Sequence, residues 1–190
     1  MKRMKLFLLG TGLVAFSVAL IWSDNSRLAG KVLASTEKTV TFDVALDCRK
    51  FNYMRGLALT EIVRGDSFIG SGKIFPAGTL PAGNQANDPN APGSIGDWVS
   101  TGTSTDTLAG HLADPTSPAV FGNQYFLLSA GILVSAGWVA PAGTSDIAVM
   151  GGTRAYSGVS GEISVINIGT NATGCPNSRY TIVLKKQAPK

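Results

Sequence analysis

Charge is scarce in this chain: only 15% of its 190 residues are Asp, Glu, Lys or Arg. A disordered, charge-driven tail is excluded by that composition. There is one histidine, His111, and there are two cysteines, Cys48 and Cys175. One histidine cannot build a multi-His metal centre. No acidic spacing near His111 offers a carboxylate partner, so it reads as a solvated loop residue and not a general base. Beyond residue 34 no segment has the 3.6-residue period of an amphipathic helix, so a helical bundle is excluded. Phosphate loops are missing too. Gly72-Lys73 is followed by Ile74, and Ser67 stands where the first glycine of G-x-x-x-x-G-K-[ST] belongs; no G-x-G-x-x-G opens a helix. Asn84, Asn87, Asp88 and Asn90 lack the central glycine and terminal Glu of a calcium loop, and read as turn chemistry. No cofactor and no metal are expected.

The formal charge of +4 belongs to the N-terminus. Five of the 16 basic residues and one of the 12 acidic ones fall in residues 1–34, and the remainder balances. A domain without net charge or a basic stripe gives no footing for nucleic acid. Lys2, Arg3 and Lys5 precede an uncharged apolar run from Leu6 to Trp22, and Val32-Leu33-Ala34 offers small residues for cleavage. Two outcomes stay open: a signal peptide removed after Ala34, or a signal anchor whose short helical run barely spans a bilayer of about 30 Å. Both place residues 35–190 outside the cytoplasm, as a periplasmic, secreted or membrane-anchored domain. In that oxidising setting Cys48 and Cys175 are candidates for one disulfide, with two buried thiols as the alternative.

What the chain has in quantity is glycine, 23 residues, set among short alternating apolar runs. "TVTFDVALD" places Val40, Phe42, Val44 and Leu46 on one face, and "SFIGSGKIF" places Phe68, Gly70, Gly72 and Ile74 on one face. "GDWVSTGTS", "NQYFLLSAG", "ILVSAGWVA", "SDIAVM", "VSGEISVI" and "SRYTIVLKK" complete eight strands. Eight strands without helices must stack as two sheets or close on themselves. Closure removes exposed edges, and the in-strand glycines Gly70, Gly72 and Gly137 suit sharply coiled barrel strands. The expected fold is therefore all-β, an eight-stranded antiparallel barrel behind an N-terminal hydrophobic leader helix. The breaker-rich insert from Pro76 to Pro92 lies over the surface or caps one end.

"VMGGTRAYSGVSGEISVI", residues 149–166, reads as a strand, a reversal at Gly151 and Gly152, and a second strand. Tyr156 offers an apolar body to cover the barrel end, and Gly158 and Gly161 permit close backbone approach. At these residues the chain resembles the allene oxide cyclase and dirigent-like barrels, whose signature is G-G-T-G-x-[FY]-x-G-x-x-G-[EQ]. Gly151, Gly152, Thr153, Tyr156, Gly158 and Gly161 match it, while Arg154 replaces its third glycine, so the turn's backbone angles are in question. "RGDSFIGSGKIF" and "YTIVLKK" resemble two further strands of that family, and the uncharacterised bacterial members resemble the chain over about residues 38–187. The resemblance implies an apolar lumen that folds or orients a lipid-, polyketide- or phenolic-type substrate without metal or nucleotide. It transfers no catalytic position.

Other residues divide between ordinary and functional roles. Tyr125, Trp138 and Tyr180 are candidates to line a ligand cavity, with core packing as the alternative. Glu162 points outward if Ile163 and Val165 face the lumen. Asn171-Ala172-Thr173 is a formal glycosylation sequon. "QYFLL" and "ILVSAGWV" are apolar on both faces, which calls for a cover, either the insert or a second copy in a dimer or trimer. Two functions stay open: an exported barrel that binds a small apolar molecule, or a cofactor-free isomerase, cyclase or dirigent-like guide.

Overall fold

The computed structural model describes residues 36–53, 61–84, 87–114, 116–140 and 144–186. The expected leader helix, cleavage site and anchor lie outside the described residues. Among the described residues ten strands form: β1 (Thr36–Leu46), β2 (Asn52–Tyr53), β3 (Ser67–Pro76), β4 (Gly83–Asn84), β5 (Gly96–Ser104), β6 (Val120–Leu128), β7 (Gly131–Val139), β8 (Thr144–Gly152), β9 (Val159–Thr170) and β10 (Pro176–Lys186). Eight of them run in the order β1-β10-β9-β8-β7-β6-β5-β3, and β1 pairs with β3 to close the ring. The eight-stranded antiparallel barrel read from the alternation is thus the observed body. β2 and β4 are two-residue additions, β2 against β3 and β4 in parallel against β9. One six-residue helix, α1 (Leu108–Ala113), interrupts the β5–β6 connection. His111 therefore lies in a helical turn instead of the expected loop.

Period-two patterning decides which side chains meet inside. Phe42, Val44, Ile74, Phe126, Leu133, Ile163, Ile182 and Leu184 are buried in one apolar core. Glu162 is exposed while the next residue, Ile163, is buried, as the outward register requires.

The outer face of β1 is not left to solvent. Asp43 and Ala45 are wholly buried there because the insert after β3 lies over β1, β9 and β10. Asp43 accepts hydrogen bonds from the Gly78 and Leu80 amides at 2.8 and 3.3 Å, and from Arg179 Nε at 2.8 Å. A buried carboxylate needs this much compensation. Leu80 joins Phe75, Ala45 and Ile168 in a second small core. The insert consequently does not cover the β6–β7 wall, where Phe121, Leu127, Ile132 and Trp138 are exposed.

The glycine-rich turn is also shifted from its expected place. Gly151 and Gly152 still belong to β8, and the reversal falls over Thr153–Gly158, through a 3₁₀ turn at Arg154–Tyr156. A register shift opposite Val134/Ser135 leaves Met150 unpaired as a bulge, and Gly151 takes φ +127° beside it. A Cβ on Gly152 would lie 2.1 Å from the Ile132 carbonyl oxygen, so only glycine fits. Thr153 locks the turn: its amide donates to the Ile132 carbonyl at 2.8 Å, and its hydroxyl accepts from the Ile132 amide at 3.1 Å. Arg154 holds φ +53°, the left-handed conformation that the resemblance assigns to glycine. The backbone angles of the turn are kept, and the arginine carries the strain. Tyr156 packs against the core as expected. Gly158 serves by its φ of +68° with open space around it, whereas Gly161 meets the Val183 carbonyl at a close approach.

Candidate functional site in the barrel lumen

The lumen is filled at one end and hollow at the other. Toward the β8–β9 turn the inward side chains interlock, with Phe42–Phe126 ring centroids at 5.3 Å and Phe126–Tyr180 also at 5.3 Å. Toward the opposite end a cavity of about 370 Å³ opens. Cross-strand rows explain why. One inward row reads Phe68, Gly102, Gly122, Gly137, and the next reads Gly70, Ser100, Gln124, Ser135. Residues this small cannot fill an eight-stranded lumen, although larger ones can.

The cavity floor is Trp98 and Tyr180, and its walls include Val165, Ser100, Gln124 and Ser178. Trp98 Nε1 donates to Gln124 Oε1 at 3.0 Å. Burial holds the Tyr180 phenol well above its ordinary range, with the Trp98 indole pulling it partly back. The hydroxyl therefore remains a protonated donor at all ordinary pH values.

Around the mouth stand Phe51, Tyr53, Cys48, Cys175 and Pro176. Phe51 and Phe68 stack with centroids 5.2 Å apart, and Tyr53 lies 5.9 Å from Phe68. Gly70 makes the notch for Phe51: a Cβ there would fall 2.2 Å from the ring. Cys48 and Cys175 form the disulfide, with Cα atoms 5.3 Å apart. It ties the end of β1 to the β9–β10 connection at the rim. Beside it Asp47 accepts from Arg49 Nε at 2.8 Å and from Asn90 Nδ2 at 2.9 Å. The guanidinium holds the Asp47 carboxyl well below the usual carboxylate range, against the opposing effect of burial. Asn171 donates to the Leu46 carbonyl at 2.8 Å and is buried, so the folded chain withholds its sequon amide from modification.

Of the three aromatic candidates, only Tyr180 reaches the lumen. Tyr125 and Trp138 sit on the outer face, because they alternate with the inward Gln124, Phe126 and Gly137. Trp138 lies there against Phe121, with ring centroids 4.8 Å apart and the planes tilted by 47°. Sequence reasoning passed over Trp98, Gln124 and Phe51. Gln124 carried a usable signal, since it shares parity with Phe126 and is therefore a polar side chain in an inward slot. Among the described residues no three His, Cys, Asp or Glu side chains converge as a metal site.

No protein-family model matches the sequence, and no curated protein matches it. Solved structures match by fold. A pyocyanin demethylase superposes with a TM-score of 0.52 at 17% identity, over 77% of this chain and 99% of that one. The pterocarpan synthase dirigent protein GePTS1 does so at 0.56 and 11% identity, over 82% and 93%. The Diels-Alderase AbmU from Streptomyces koyangensis gives 0.51 and 16%, over 98% and 84%. At such identities the likeness is one of fold: the chain shares the barrel shape of these proteins.

Proposed function

We propose that this dirigent-like barrel is an exported protein that holds a small apolar molecule in the hollow half of its lumen. One observation carries the proposal. The cavity of about 370 Å³ is walled by apolar and uncharged polar side chains, and its size lies in the lower part of the range used for small ligands. Export is supported by the formed disulfide, a bond that persists in oxidising compartments. Among the described residues no helix is long and apolar enough to cross a membrane.

Native mass spectrometry of the full chain purified from its own host tests the binding. The expected result is a mass excess that is released on denaturation and extracts into organic solvent. No mass excess, together with no uptake of an added apolar fluorophore, overturns the proposal.

A catalytic role has separate support in the protonated Tyr180 hydroxyl at the cavity floor. A buried donor of this kind polarises a carbonyl or steadies developing negative charge while the walls impose a folded shape. Such a cyclase or isomerase needs no cofactor. If the retained molecule is unsaturated, incubation should yield an isomer of equal mass and new retention time, and Tyr180→Phe should slow its formation. Unchanged retention time would leave binding alone.

The exposed β6–β7 wall supports self-association as a dimer or trimer. Phe121 and Trp138 are each about half exposed and in ring contact with one another, so a second copy covering them would remove a large apolar area from water. Sedimentation at micromolar concentration should find an oligomer, and a clean monomer overturns this.

A further inference from the structure

Ser100 on β5, Gln124 on β6 and Ser135 on β7 stand directly opposite one another across three adjacent strands. All three are buried, at 6%, 3% and 0% exposure. They form a polar band between the apolar floor and the glycine row below the mouth. Two of them have partners. The Ser100 hydroxyl donates to the Asn123 carbonyl at 3.1 Å, and Gln124 Oε1 accepts from the Trp98 indole. With its oxygen held there, the Gln124 amide turns its two N–H donors away from Trp98. The Ser135 hydroxyl has no hydrogen-bond partner although it is fully buried. A buried hydroxyl left unmet costs stability, and its presence calls for a partner that completes the band.

We infer that the lumen site selects a neutral guest bearing an oxygen acceptor, of the ketone, aldehyde or ether kind. One Gln124 N–H donates to the guest oxygen. The other donates to Ser135 Oγ as the amide settles, so Ser135 acts as a positioning residue on the neighbouring strand. Among the described residues no Asp, Glu, Lys, Arg or His lines the cavity, so a carboxylate or ammonium guest would find no charged partner among them. This inference rests on the lumen-binding proposal above.

Three probes of one shape test it: 2-acetylnaphthalene, 2-ethylnaphthalene and 2-naphthoate, each measured by equilibrium dialysis against the oxidised full chain. The ketone should bind about tenfold more tightly than the ethyl compound, as one buried hydrogen bond allows, and the carboxylate should bind more weakly than either. Gln124→Leu should abolish the ketone-to-ethyl ratio, bringing the two compounds to equal affinity. Ser135→Ala should shrink the ketone-to-ethyl ratio severalfold, a change in ratio that a merely structural role would not produce. If Gln124→Leu fails to fold, Gln124→Met gives the same readout. Equal binding of ketone and ethyl compound by the wild type overturns the inference and leaves lumen binding standing. So does a ketone preference that survives loss of the amide. Failure of both neutral probes to bind sinks lumen binding itself.

Discussion

The two halves of the barrel share one backbone pattern and differ in what that pattern carries inward. Near the β8–β9 turn the inward residues are Phe42, Ile74, Phe126, Leu133, Ile163 and Ile182, each at most 2% exposed. Near the disulfide they are glycine, serine and one glutamine, with an aromatic rim. The same strands therefore serve as a solid core at one end and as a vessel at the other. Side-chain volume makes that division, because strand number and closure are constant along the axis. The filled half supplies cooperative stability. The hollow half lacks that filling and is fastened from outside, by the disulfide and by the polar cluster around Asp47.

The most disruptive way to break this comparison is to hollow the filled half. Phe126→Ala removes a wholly buried ring that touches both Phe42 and Tyr180, and should cost about 3–5 kcal/mol in chemical denaturation. Val120→Ala at the cavity rim is the matched control and should cost less than about 1 kcal/mol, since a void already lies beside it. Equal losses at the two sites would show that the halves are not energetically distinct.

Next in size is the rim fastening. Cys48→Ser with Cys175→Ser opens a crosslink between residues 127 apart in sequence. It should lower stability by about 2–5 kcal/mol, read as a fall in melting temperature that reductant reproduces in the wild type. A larger relative loss of probe binding than of folding would localise the damage to the mouth.

Acid provides a third, smaller test. The Asp47 carboxyl is held low by Arg49, so its contribution to stability is complete above the unfolded value, about pH 4, and is lost progressively as the pH falls toward the depressed folded value. Asp47→Asn should flatten the fall in denaturation midpoint below about pH 4 and change little near neutrality in its slope. A wild type and variant with parallel acid profiles would remove Asp47 from the fastening.

The smallest effect belongs to the filled end. Arg154→Gly relieves a left-handed backbone and should raise stability by about 0.5–1 kcal/mol in the same denaturation assay. No gain would mean that the arginine side chain offsets its own strain.

Strand identity was legible in the sequence because alternation is local: all eight barrel strands were marked by their own residues, and the two cysteines were candidates for the bridge that the structure forms. What depends on register was not legible. The emptiness of one half arises only when Gly102, Gly122 and Gly137 line up across β5, β6 and β7. Burial of Asp43 on the outside of β1 depends on Gly78 and Leu80, more than thirty residues away. Tyr125 and Trp138 were attractive as aromatics, yet parity sends them outward. Gly151 and Gly152 marked the right neighbourhood, but the bulge at Met150 moved the reversal on to Thr153.

The insert between β3 and β5 has a consequence for survival of the chain. A stretch so rich in proline, glycine and asparagine, if loose, would be where a protease cuts first. Here it is seated at three separate places: Gly78 and Leu80 on Asp43, Gly83 beside Gly169, and Asn87 on Asn177. A single nick between two of those anchorages would leave both severed ends docked and the ring of eight strands unopened.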